Sequence, residues 1–398
     1  MRVIPIKRLF FQAGTLCGLI VLLTACGGSG NSAQARSTAI HSTPTHNATA
    51  PAASPSPSIS PGPQACPTLV KDPTYWDPII PTQPNVTQVQ DVTCGYLKGV
   101  PTLQALVIVL HSDQSKTLDV YVYDNITGAA PVQIFKLQNL AAGSAKISGY
   151  NSVETAEVLQ TANQSSNETT SNCSQDLCRE FKWSDGAGTL VQVTFPGIFP
   201  DLTRYQAEND QAQVNQGQQS WKVSATMTAQ AFGANLLQWN SNAPATLVSG
   251  GGTHDTQAVV SLKNTSPGGN ALTITLSRLE GNANGRIWIV TDVETSGLTI
   301  TQPQTGSIIH SPLKVTGTGN AFEGIIGKVT VLNHLDTAIG SAEVHGASGN
   351  GSTTFSTSVT AQPTIPYDAE EGLVMLTESS NANGGVAGAV IVKVLIQK

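Results

Sequence analysis

The chain reads as a multidomain protein, an α+β central region followed by a C-terminal β-sandwich. Three observations lead there. From Leu103 to Val193, short apolar runs rich in β-branched residues alternate with turn residues. Two helical patterns followed by an antiparallel alternation fill residues 200–297. From residue 298 onward only strand patterns and turn signals remain, with no helical periodicity. Roughly 330 residues of foldable sequence exceed what one core holds, so two or three domains are expected.

The first residues are not part of that fold. Arg2, Lys7 and Arg8 form a basic start, and Leu9 to Leu23 is apolar with few interruptions. This is the charged and apolar plan of an export signal, too short for a comfortable membrane span. It closes on Leu22-Leu23-Thr24-Ala25-Cys26, which resembles the lipobox of bacterial lipoproteins. The resemblance implies cleavage after residue 25, diacylglycerol on Cys26, and an extracytoplasmic protein held to a membrane by its acyl chains. Residues 26–65 are Ser, Thr, Pro, Ala and Gly with almost no large apolar side chain. That composition buries too little surface to offset chain entropy, so the segment reads as a disordered tether.

Three of the 20 basic residues lie in residues 1–25, which hold no acidic ones. The remaining 17 face 26 acidic residues, a balance of −9. A mildly acidic surface argues against nucleic acid as a partner. Cys17 would leave with the signal and Cys26 would carry lipid, so four cysteines remain: Cys66, Cys94, Cys173 and Cys178. In an oxidising compartment an even set points to two disulfides. Of three pairings, Cys66–Cys94 with Cys173–Cys178 is favoured. Their spacing, with no histidine near, does not suit zinc.

In residues 66–199, Ala105–Leu110 reads as a buried strand, followed by Leu118–Tyr123, Val132–Leu137 and Thr189–Phe195. Asn125–Gly128 and Asp185-Gly186 carry turn chemistry, and the polar stretch 162–172 reads as a loop. In residues 200–297, Asp201 is placed to cap a helix that Gly217 ends. Ser224 is placed to cap a second, with Ala225, Ala229, Phe232, Leu236 and Trp239 at helical spacing. Strands follow at Ala258/Val260/Leu262, Leu272/Ile274/Leu276 and Ile287–Val290, with Gly281–Gly285 as a hairpin turn. This order of helices and meander is similar to the nuclear-transport-factor-like fold, which would imply a pocket for a small apolar ligand in residues 200–297.

The C-terminal strands, about seven in number by their turn spacing, suit a sandwich. Within them Pro303, Gly306, Ser311-Pro312, Gly317 and Phe322-Glu323-Gly324 occur in an order that resembles the immunoglobulin-like domain of bacterial spore-germination proteins, the type found beside GerM modules. The resemblance covers 299–396 and implies an immunoglobulin-like domain over 298–398 that folds alone. No GerM pattern precedes it. Pro312 reads as the start of an edge strand, Gly317 and Gly324 as bends, and Phe322 and Phe355 as core. Glu323 reads as a turn residue or a partner contact.

No catalytic residue, cofactor or metal is expected. Ser311 and Lys314 have the spacing of a serine–lysine acylase, but the segment is a strand and not a helix N-terminus. Gly250–Thr253 lacks the lysine of a phosphate loop. The histidines are scattered and read as solvent-exposed, Asp113, Asp119 and Asp124 lack the spacing of a calcium loop, and Asp201, Glu208 and Asp210 read as a solvated helix face. Of the five tryptophans, Trp239 and Trp288 read as core, and Trp76 is the better candidate for an exposed aromatic contact. The chain therefore reads as a non-catalytic, lipid-anchored surface protein presenting an immunoglobulin-like domain to a protein or cell-envelope partner. The alternative is a small-ligand binder using residues 200–297.

Overall fold

Strands dominate the chain from residue 63 to residue 397. The computed structural model describes residues 62–398 except 81–85, 113–115, 160–175, 267, 282–284, 347–350, 364, 366–368 and 381–383. The signal segment, Cys26, most of the tether, Cys173, Asp113 and the polar loop 162–172 lie outside the described residues.

Strands β1 (Pro63–Gln64), β2 (Thr87–Gly95), β3 (Gln104–His111), β4 (Thr117–Asp124) and β5 (Val132–Ala141) form an antiparallel sheet in chain order. Strands β6 (Ser144–Ile147), β7 (Val153–Glu157), β8 (Leu177–Ser184) and β9 (Thr189–Val193) form a second meander. The two sheets bury Leu106, Val120, Val122 and Phe135 of the first against Val153, Phe181 and Leu190 of the second. The opposite side of β3, with Ala105, Val107 and Val109, packs under a cap made of helix α1 (Thr68–Lys71) and a 3-10 turn at Pro73–Trp76. Burial on both sides is why β3 is an unbroken apolar run. A disulfide between Cys66 and Cys94 ties the cap to β2. Trp76, the candidate for an exposed aromatic contact, is fully buried here and its indole N–H donates to the Val70 carbonyl at 2.8 Å. Residues 63–193 are thus a β-body whose described helices are a few residues long, and the α+β character expected of the central region is confined to 200–297.

Helix α2 (Arg204–Asn215) starts from a capping box. Thr203 accepts from the Gln206 amide, and the Gln206 side chain accepts from the Thr203 amide. Asp201, the expected cap, sits ahead of the helix and is buried. Gly217, at φ 83°, ends the segment as expected. Helix α3 (Ala225–Leu236) is capped by Ser224 and buries Ala225, Ala229 and Phe232. It lies on β10 (Ala245–Gly250), β11 (Gln257–Lys263), β12 (Ala271–Ser277) and β13 (Ile289–Thr295), whose Val260, Leu262, Ile274 and Leu276 form the floor. Of the turn expected at Gly281–Gly285, residues 282–284 lie outside the described residues. β13 begins at Ile289, two residues later than expected, and ahead of it Ile287 packs beside Phe195 and Ala207 while Trp288 enters the core under α3.

Among the described residues eight strands follow, against about seven expected: β14 (Thr299–Gln302), β15 (Ser307–Ile309), β16 (Leu313–Ala321), β17 (Ile325–Leu332), β18 (Ala338–His345), β19 (Gly351–Val359), β20 (Ala369–Ser379) and β21 (Val386–Gln397). One sheet is β14-β16-β19 and the other is β15-β21-β20-β17-β18, with β15 parallel to β21. Val315, Val329, Val331, Phe355, Val374 and Val394 fill the space between them. This is an immunoglobulin-like sandwich. Its second sheet does not end at the sandwich. β13 pairs with β21 through Val293 and Ile391, so β10–β13 extend it into a nine-stranded sheet. The boundary expected at residues 297/298 lies in the turn between β13 and β14, while the larger sheet runs on across it through β13 and β21. Leu373, Ala389 and Ile391 join the core under α3, and the Trp239 indole donates to the Val386 carbonyl at 2.8 Å.

Candidate functional site

Strand alternation decides where the sandwich's signature residues point. Ala321 ends β16 facing inward, so Phe322 turns outward, and Ile325 does the same before the buried Ile326. Phe322 and Ile325 exchange backbone hydrogen bonds of 2.9 and 3.0 Å across Glu323 and Gly324. Those two residues have φ of 53° and 83°, the signature of a two-residue type I′ turn. The expectation of a core role for Phe322 is thereby corrected: it is 50% exposed and Ile325 is 44% exposed. Glu323 occupies the tip between them. Phe355 is core, as expected.

The other signature residues shape the backbone. Gly317 faces the irregular end of β14, where an added Cβ would stand 2.0 Å from the Thr299 carbonyl oxygen. Pro303 lies between β14 and β15, and Pro312 immediately precedes β16. β16 is the middle strand of its sheet and not an edge, and Pro312 lies outside it, so no ladder bond is lost. The Ser311 hydroxyl accepts from the Ala361 amide at 3.1 Å, a bracing role with Lys314 on the following strand.

A second concentration of chemistry escaped sequence reading. Glu154 of β7 and Glu180 of β8 are direct cross-strand partners on the face turned to α2. Arg204, in the first turn of α2, places its Nε 3.1 and 3.2 Å from the two Glu180 oxygens and its Nη1 3.1 Å from Glu280. Its guanidinium also lies 3.8 Å from the Tyr150 ring. Lys146 of β6 stands 3.2 Å from Glu154 and also pairs with Glu208 of α2. Burial, followed by the Glu208 charge, pushes Glu154 up to about 8. Burial does the same to Glu280, also about 8. Asp201 is raised to about 6 by burial, and Asp210 pairs with Lys222. Asp201, Glu208 and Asp210 therefore face protein, not solvent.

Adjacent to this cluster the immunoglobulin-like region is keyed into the chain ahead of α2. Glu371 accepts from the Phe195 amide at 2.9 Å and lies 3.3 Å from Lys393. Lys393 donates to the Leu202 carbonyl at 2.7 Å. Both side chains are buried; burial raises Glu371 to about 7 and lowers Lys393. The imidazole of His334 pairs with Glu370 in the interior, so this histidine is not solvent-exposed as expected.

The remaining candidates are accounted for individually. Cys66–Cys94 forms as favoured. Cys178 is a free thiol, turned inward from β8, where burial raises it to about 12. Cys173, the partner expected for Cys178, lies outside the described residues. Asp119 is occupied by the Asn139 amide and the Gln138 side chain, and Asp124 by Lys98 and Gln104, so the two do not converge. Among the described residues no group of three or more His, Cys, Asp or Glu side chains is disposed to hold a metal ion. No described helix is long and apolar enough to cross a membrane. The helix-covered face of β10–β13, where a ligand pocket was expected, is filled by Phe232, Trp239 and Trp288. A cavity of about 650 Å³ lies elsewhere, where β13 leaves for β14, lined by Asp292, Glu294, Thr299, Thr301, Val390 and Val392 among others.

Comparison with known families fits the sandwich. Residues 298–385 match Gmad2, the immunoglobulin-like domain of bacterial spore germination. The match begins one residue before β14 and ends just before β21, the strand that joins the sandwich to β13. No curated protein matches the chain.

Proposed function

We propose that the chain is a non-catalytic, lipid-anchored extracytoplasmic protein whose immunoglobulin-like domain presents the Phe322–Ile325 tip to a protein partner of the cell envelope, in the setting of spore germination. The observation that carries this reading is the tip itself. A single exposed apolar residue on a surface is ordinary. Here an aromatic and a β-branched residue flank a rigid two-residue turn at one end of a domain that matches the germination family. The Leu22–Cys26 motif supports lipid anchoring, and the Cys66–Cys94 disulfide supports an oxidising compartment. The germination setting is supported by the family description.

Crosslinking tests the tip. A photoreactive residue in place of Phe322 should capture an envelope protein in the host, while one in place of Leu335, equally exposed at the far end of β17, should not. Equal capture at both positions, or none at Phe322, overturns the reading. Cys26→Ser tests the anchor. The variant should leave the membrane fraction or remain unprocessed, and a variant still bound and cut at the same point defeats it.

A second reading, small-ligand binding, is favoured by one observation, the cavity beside Asp292 and Glu294. A nuclear-transport-factor-like arrangement of α2, α3 and β10–β13 would sit next to that cavity without enclosing it.

A further inference from the structure

We propose that the seat of α2 on the β6–β9 sheet is a proton-operated latch, closed when its carboxylate cluster holds a proton and loosened when that proton leaves. Four carboxylates, Glu154, Glu180, Glu208 and Glu280, meet there around the buried Arg204 and the partly exposed Lys146. Lys182 adds a third at 3.5 Å from Glu180, so four carboxylates face three cations. The pairing of Glu154 with Glu180 places like charges directly opposite one another on adjacent strands, an arrangement that is unfavourable unless compensated. Glu154 is completely buried; Lys146 reaches one of its oxygens at 3.2 Å, and the other has no hydrogen-bond partner among the described residues. A proton on Glu154 removes one charge from the set and turns an unsatisfied acceptor into a donor that faces further carboxylates.

The groups around the cluster cannot supply the missing positive charge. Burial pushes Tyr150 and Cys178 up to about 12, so both are neutral. Tyr150 gives its hydroxyl proton to the Leu279 carbonyl, and the Tyr205 ring lies 4.6 Å from Lys146. Arg286 acts on Tyr150 from outside. Lys222 is engaged by Asp210 and faces Asp201, and Lys393 is engaged by Glu371. The carboxyls of Glu154 and Glu280, raised by burial to about 8, therefore titrate as a set and not as two independent sites.

The direction follows from linkage. Lifting α2 exposes Glu154 and Glu280 to water and returns them toward the ordinary value of 4.5. Between about 4.5 and about 8 the lifted state holds fewer protons than the seated one, so lifting is favoured as pH rises and levels off above about 8. The consequence reaches the sandwich. Lys393 and Glu371 hold Leu202 and Phe195, in the chain that leads into α2, so loosening α2 loosens the anchorage of the immunoglobulin-like region.

Amide hydrogen exchange of the full chain from pH 6 to pH 9, corrected for intrinsic base catalysis, reads the latch directly. The opening constant of α2 amides should rise by up to about tenfold per pH unit for each proton released, flattening above about pH 8, while β3 and β4 amides stay level. Glu154→Gln, which keeps the shape and removes the charge, should reduce that slope. If Glu154→Gln does not fold, Glu280→Gln carries the same expectation. An α2 slope no steeper than that of β3, or a slope unchanged in the folded variant, overturns the proposal.

Discussion

The chain contains two β-bodies that solve the same packing problem in opposite ways. Residues 63–193 face two sheets across an apolar core, then cover the outer side of the second sheet with charged side chains and a polar helix. The immunoglobulin-like region covers the outer side of its longer sheet with apolar ones, because β20 and β21 lie between the sandwich core and the core under α3. The first body is joined to its helix by paired charge, which is directional and sensitive to protons. The second is joined to its neighbour by a shared sheet and apolar burial, which are neither. The difference teaches where this molecule can yield: at α2 and not along β21.

The largest expected effect breaks the second body. A fragment of residues 299–398 removes α3, β10–β13 and the Phe195–Leu202 segment, leaving Leu373, Ala389 and Ile391 exposed and Lys393 without the Leu202 carbonyl. Such a patch on a small domain favours association over folding. The fragment should show no cooperative melt by circular dichroism as a monomer, whereas one starting at residue 196 should fold. A monomeric 299–398 fragment melting like the intact chain would show that the two cores are separable after all.

A smaller effect, on the first body, comes from Arg204→Ala. The change leaves Glu180 and Glu280 buried beside an absent cation, and breaking a buried pair from one side costs about 3–5 kcal/mol. Denaturant unfolding near neutral pH measures it. A loss under about 1 kcal/mol would mean that water or Lys182 already serves these carboxylates, and that α2 is held by its few apolar contacts.

Much of the sandwich was legible in the sequence, and the reason is local. β21 runs Val386 to Gln397 almost without a polar residue, the pattern of a strand buried on both faces. That same pattern carried the news that the domain does not stand alone, since a strand with one wet face alternates. The charged cluster was illegible for the opposite reason. Arg204 meets Glu180 across 24 residues and Glu280 across 76 residues, and none of the three lies in a motif. With only Ala207 and Val214 as aliphatic contacts, α2 reads as a solvated helix, although Arg204, Ala207 and Gln211 are buried. Capping by Thr203 was within reach, since Thr203 and Gln206 have the spacing of a capping box.

The smallest expected effect concerns Phe322, and it separates the tip from both bodies. Core aromatic truncations cost about 3–5 kcal/mol. Phe322 sits outside both cores, half exposed, on a turn closed by backbone hydrogen bonds between Phe322 and Ile325. Phe322→Ala should therefore change stability by about 0.5 kcal/mol or less, as surface substitutions do. Phe355→Ala, three strands on and buried against Gly317, supplies the contrast and should fall in the larger range. Urea unfolding of the two variants side by side makes the measurement. Phe322→Ala destabilising as much as Phe355→Ala would return Phe322 to the core and remove the tip as a surface for a partner. A stable Phe322→Ala chain that also loses crosslinking from Ile325 would leave the aromatic ring with binding as its one remaining role.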